Sequence, residues 1–111
     1  MKNLLALVLF FSFTISNAQE IKPKFEKSGN LVKATYYFED GSIKEQGFFK
    51  NKKLTGKWVA FNKQGDKTAT AYYSAGKKVG TWFACSKNSV REVTYNNNVI
   101  VSIKNYEEVT K

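Results

Sequence analysis

The sequence predicts an all-β protein: a single antiparallel meander of stacked hairpins, about seven strands in a repeat sheet, after an N-terminal signal peptide. Three observations predict it. The phrase Gly56-Lys-Trp-Val-Ala-Phe61 returns as Gly80-Thr-Trp-Phe-Ala-Cys85, 24 residues later. The apolar stretches between are short runs, rich in aromatic and β-branched residues and punctuated by Gly, Asn, Asp, Ser and Lys, which is the pattern of strands and turns. No helical period of 3.6 residues runs through the chain after the first segment.

That first segment is read separately. Lys2 precedes an apolar run from Leu4 to Ile15, which closes on Ser16-Asn17-Ala18. A positive start, a short apolar stretch and small residues are the order of a secretory signal. The expectation is a signal peptide over 1–18 and an exported protein, periplasmic or extracellular, with no transmembrane span after cleavage. No Cys follows the apolar run, so a lipid anchor is not expected. Residues 19–30 are polar, carry Pro23, the single proline, and are expected to be a loose lead-in.

The repeat domain is expected over 31–104. Strands are placed at about 31–38, 43–50, 57–62, 67–74, 81–85, 90–96 and 99–104. Asp40-Gly41 suits a tight primed turn, because both residue types tolerate positive φ. Phe61-Asn-Lys-Gln-Gly65 repeats that bend. Asn51-Lys-Lys-Leu-Thr-Gly56 and Ala75-Gly-Lys-Lys-Val-Gly80 make the turns at the opposite end, and Asn96–Asn98 leads into the last strand. Residues 105–111 are a tail. Shifting the chain by 24 aligns Phe48-Phe49 with Tyr72-Tyr73, Lys53 with Lys77, Gly56 with Gly80, and Trp58 with Trp82. Two full units result, 47–70 and 71–94. One hairpin cannot bury its apolar face alone, but copies stacked side by side make a continuous aromatic ladder. Alternation along the strands puts Trp58, Ala60, Trp82 and Ala84 on one face, and Val59, Phe61, Phe83 and Cys85 on the other.

Composition bounds the function. The chain carries 18 Lys and Arg against nine Asp and Glu, a net charge of +9. That balance favours anionic partners, namely an acidic protein, a lipid headgroup or a glycan; nucleic acid is not the expected one. The one cysteine allows no internal disulfide. Cys85 takes an aromatic position and is expected to be a buried small side chain; the alternative is an intermolecular disulfide in an oxidising compartment. With no histidine anywhere, the commonest general base and metal ligand is missing. One Cys and no His make no zinc site, and no Gly-rich phosphate loop is present. No catalytic residue, metal site or cofactor is therefore expected. Glu39, Asp40, Glu45 and Asp66 could form a hydrolase carboxylate pair, but turn chemistry accounts for them better.

The lysines stand out. Lys50, Lys52 and Lys53 surround one turn, and Lys77 and Lys78 the equivalent turn 24 residues on. Both should project from the same end of the sheet, about 10 Å apart. With Trp58 and Trp82 nearby, able to stack on sugars or sit at a lipid interface, they form the candidate binding rim. Exposed lysines also guard sheets against edge pairing.

Gly47, Phe49, Lys50, Lys53, Gly56, Trp58, Phe61 and Gly65, with Tyr73, Gly76, Lys77, Gly80 and Trp82, resemble the MORN-repeat-variant (YwqK-like) family of bacterial proteins. Its pattern is G-x-[YF]-K-x-G-K-x-x-G-x-W-x-x-[YF]-x-x-x-G. The likeness spans about Tyr36–Cys85, and this chain departs from it at Lys52, Ala71, Cys85 and Ser89. The resemblance implies an antiparallel β-meander used as a structural or binding scaffold, without catalytic residues. An antitoxin label carried by some members does not fit an export signal. The expected function is that of a non-enzymatic exported interaction module in the cell envelope, monomeric or weakly oligomeric. The alternatives are a structural, self-assembling accessory protein and, further off, a carboxylate-based hydrolase.

Overall fold

Short alternating runs broken by residues that accept positive φ can close hairpins but no helix, and the chain folds accordingly. The computed structural model describes residues 21–107, so the signal-peptide segment lies outside the described residues. The strands are β1 (Lys24–Ser28), β2 (Leu31–Tyr37), β3 (Ile43–Lys50), β4 (Lys53–Phe61), β5 (Lys67–Ser74), β6 (Lys77–Lys78), β7 (Gly80–Ser86), β8 (Ser89–Asn96) and β9 (Val99–Glu107). They form one open sheet in the order β1-β2-β3-β4-β5-β7-β8-β9, with β6 also paired to β5. Every pairing is antiparallel. The expected all-β meander is therefore what forms.

Three details differ from expectation. The lead-in is not loose throughout: Lys24–Ser28 pairs with Leu31–Thr35, because β2 offers an open row of backbone groups and a Ser-Gly-Asn-Leu turn brings the chain back to it. The tail is shorter than expected, since β9 runs on to Glu107 against β8. The Asp40-Gly41 bend is not a primed turn. Only Gly41 of the two has positive φ, +94°, and the loop closes by Phe38 N–H donating to Ser42 C=O at 2.8 Å and Gly41 N–H to Phe38 C=O at 2.9 Å. Asp40 Oδ1 accepts from Ser42 N at 2.9 Å and from Ser42 Oγ at 2.6 Å.

The repeat persists down to single bonds. Asn62 N–H donates to Asp66 C=O at 2.9 Å and Gly65 N–H to Asn62 C=O at 3.0 Å, each bond 24 residues after its counterpart in the first loop. A register shift between Tyr36↔Glu45 and Tyr37↔Ile43 recurs between Ala60↔Ala69 and Phe61↔Lys67. Gly56 and Gly80, at φ +71° and +74°, sit where the descending strand carries extra residues. From Gln46↔Val59 to Phe48↔Thr55, β3 advances two residues and β4 four. At Gly80 the same irregularity splits the second copy into β6 and β7. Left-handed φ at these points is open to glycine at little cost.

The described residues form one layer, whose buried residues lie on one face apart from Thr35. Among the described residues only Ala34, Thr35, Gly47 and Trp58 are buried. Cross-strand partners share a face, and on this one the rings form a chain: Phe25–Tyr36 (centroids 6.3 Å apart), Tyr36–Trp58 (6.4 Å), Trp58–Tyr73 (6.4 Å), Tyr73–Trp82 (5.2 Å) and Trp82–Tyr95 (4.8 Å). Phe49 adds an edge contact to Trp58 at 5.3 Å. The opposite face is bridged by polar partners. Gln46 Nε2 donates to Thr35 Oγ1 at 3.1 Å, and the Thr81 and Thr94 hydroxyls meet at 3.0 Å. Cys85 lies on that second face and is exposed, not buried as expected, because no second layer covers it.

Candidate anion-binding rim

Alternating strand direction gathers four hairpin turns at one end of the sheet. Three are two-residue turns with both central residues at positive φ: Asn51-Lys52 (52° and 67°), Ala75-Gly76 (50° and 83°) and Asn97-Asn98 (48° and 74°). These are the primed turns whose twist matches the strands. The fourth is the Gly29-Asn30 turn between β1 and β2.

The turns are stitched into a row. Gly76 N–H donates to Leu54 C=O at 2.9 Å, and a Cβ placed at Gly76 would lie 3.8 Å from Lys53 Cβ. Asn98 N–H donates to Lys78 C=O at 2.9 Å, and Asn98 Oδ1 accepts Lys78 N–H at 2.9 Å. The structure thus brings together Lys50, Lys52, Lys53, Lys77 and Lys78. Asn98 completes the row and was not singled out from sequence, because its part depends on a clasp formed across 20 residues of chain.

The charges at this end are uncompensated. Lys50 and Lys53 are direct cross-strand partners, and like charges placed opposite each other destabilise a hairpin. Among the described residues the ion pairs are Lys24–Glu26 at 2.9 Å and Lys63–Glu39 at 3.6 Å, neither of which involves a rim lysine. The acids Glu39, Asp40 and Asp66 lie in the loops at the far end, where β9 also finishes in Glu107. Lys63, Lys67 and Lys87 lie at that end too, so its lysines have acidic neighbours that the rim lysines lack. Lys78 differs from the other four: its ammonium lies over the rings of Trp82 and Tyr95, 5.3 and 5.2 Å from their centroids, a cation–π arrangement.

The two tryptophans belong to the ladder. Trp58 is 4% exposed, and its Nε1–H donates to Phe48 C=O at 3.2 Å. Trp82 is half-buried, and its Nε1–H is shared between Tyr72 C=O and Val79 C=O, both at 3.1 Å. Phe48 and Tyr72 are again 24 apart. Trp58 has no ring face free for a sugar or a lipid, whereas Trp82 is partly open beside Lys78.

The far end shows turn chemistry. The Ser42 hydroxyl, then the Ser42 N–H, hold the Asp40 carboxyl below its ordinary value. A carboxylate kept charged in this way is a poor proton donor at neutral pH. Among the described residues no three His, Cys, Asp or Glu side chains are grouped to hold a metal, and no helix is long and apolar enough to cross a membrane. Comparison with protein-family models, curated proteins and solved structures finds no match to this chain. The MORN-repeat-variant resemblance rests on the residues that carry it.

Proposed function

We infer that the protein is a non-enzymatic interaction module, exported to the cell envelope, whose basic end docks a partner presenting several negative charges: an acidic protein surface, an anionic lipid headgroup layer or a charged glycan. The observation that carries this reading is the uncompensated row of turns. Five lysines are held at one end by backbone bonds, two of them directly opposed, and none of the five is in an ion pair among the described residues. An incoming anion relieves that repulsion, so part of its binding energy is stored in the free protein. Lys50, Lys53 and Lys77 of the rim match the MORN-repeat-variant pattern, which supports a scaffold role. The export reading rests on residues 1–18.

The test is retention of an envelope extract on the immobilised protein, eluted in salt steps. Lys53→Glu/Lys77→Glu is compared with Lys67→Glu/Lys87→Glu, which makes the same charge change away from the rim. The expected result is a partner released at moderate salt, lost with the rim variant and kept with the other. At physiological salt the Debye length is about 8 Å, so charges at the far end contribute little. Equal loss in both variants would mean net charge alone is responsible and would overturn the site. Retention unchanged in the rim variant would do the same.

A further inference from the structure

The two edges of the sheet are built differently. β1 is five residues long, follows Pro23, and carries Lys24 and Lys27, with Lys24 tied to Glu26 at 2.9 Å. Short length, proline and lysine are the means by which sheets discourage edge pairing. β9 is nine residues long, Val-Ile-Val-Ser-Ile-Lys-Asn-Tyr-Glu, with eight of them exposed. Val99, Val101 and Ile103 are 61%, 58% and 46% exposed. Among the described residues nothing pairs with the outer side of β9. A long apolar edge with open N–H and C=O groups is a template for another strand.

We propose that β9 pairs antiparallel with β9 of a second copy, about a two-fold axis through Ile103. In this register Ile103 meets its own equivalent, Val101 meets Asn105 and Ser102 meets Lys104. No like charges stand directly opposed. A register one step further along would set Lys104 against Lys104 and is disfavoured. Ile103 pairs with Val93 on β8, on the ladder face, so the apolar surface runs unbroken from Val93 through both Ile103 side chains to the second Val93.

Charge selects this occupant. A two-fold rotation in the plane of the sheet sets the lysine rims of the two copies at opposite ends and lays each beside the mixed-charge end of the other, so the rims do not repel. Glu107 then comes alongside the second copy's Asn97-Asn98 turn, which is clasped to Lys78. Head-to-tail pairing of β9 with β1 would line up the basic ends side by side and grow an open filament. Lysine repulsion and the guarded β1 edge both oppose it, so assembly closes at two copies.

Sedimentation velocity on the purified protein, from dilute to concentrated, reads the assembly directly. The expected result is a monomer–dimer equilibrium with mass doubling and no larger species. Register is read by cysteine cross-linking in a Cys85→Ser background. Ile103→Cys is expected to give a covalent dimer on mild oxidation, because its Cα atoms face across the axis within disulfide reach. Asn105→Cys, facing Val101, is expected to stay uncrosslinked. A monomer at all concentrations overturns the proposal. So does a ladder of larger species, or cross-linking of Asn105→Cys as readily as of Ile103→Cys.

Discussion

Replacing Trp58 by alanine is expected to destabilise the protein by about 3–5 kcal/mol, the range for a large buried aromatic. Domains of this size have a total stability of roughly 5–15 kcal/mol, so the variant should lose a large share of it. Among the described residues the indole is the one large side chain that is buried. It touches Tyr36, Phe49 and Tyr73, so its loss opens the ladder in the middle. No second layer can collapse into the gap. Trp82→Ala should cost less, because Trp82 is half-buried. Phe83→Ala, on the polar face and 41% exposed, should cost least. Urea denaturation followed by circular dichroism ranks the three. Equal losses for Trp58→Ala and Phe83→Ala would show that the ladder is not the core.

Gly47→Ala is the second large effect, and it acts through the same ring. A Cβ at Gly47 would lie 1.9 Å from Trp58 Cδ2 and 2.1 Å from Cε2. The indole must lift from the strand, which weakens its bond to Phe48 C=O and its edge contact with Phe49. Overpacking of this kind costs about 1–3 kcal/mol. A double-mutant cycle isolates the cause: once Trp58 is alanine, adding Gly47→Ala should cost almost nothing. Additive losses would place the effect in the backbone of β3 instead. The equivalent position one unit on is Ala71, and the equivalent indole, Trp82, is half-buried.

These two residues also show what could be read from the sequence. The 24-residue phrase predicts the meander, the pairing of hairpins and the shared face of the tryptophans, because strand alternation and turn residues are local signals. Gly47 sits in the pattern as a plain glycine, and nothing nearby in sequence shows that an indole from the next strand covers it. β1 is hard to read because Phe25 is the single apolar residue of Lys24–Ser28; it pairs because β2 presents an open edge and Tyr36 receives the Phe25 ring. The bend at Asp40 misled for a related reason. Asp-Gly suits several turns, and Ser42, by bonding the Asp40 carboxylate, favours the wider loop. Cys85 was read as inward because one face of a strand is usually covered, and in this sheet its face is not. Of the candidate rim, the lysines were legible from spacing alone, since equal spacing in a meander returns residues to the same end. The clasp by Asn98 and the resting place of Lys78 on Trp82 and Tyr95 were not, because both depend on β8 and β9 folding back beside the repeat.

The measurement that tests the central claim most directly is a backbone amide map of the isotope-labelled protein titrated with polyglutamate at low and high salt. The account predicts shifts confined to Lys50–Lys53, Ala75–Lys78 and Asn97–Asn98, fading as salt rises, with the loops at Phe38–Ser42 and Asn62–Asp66 unmoved. Shifts spread over both ends, or centred on the ladder face and indifferent to salt, would contradict it.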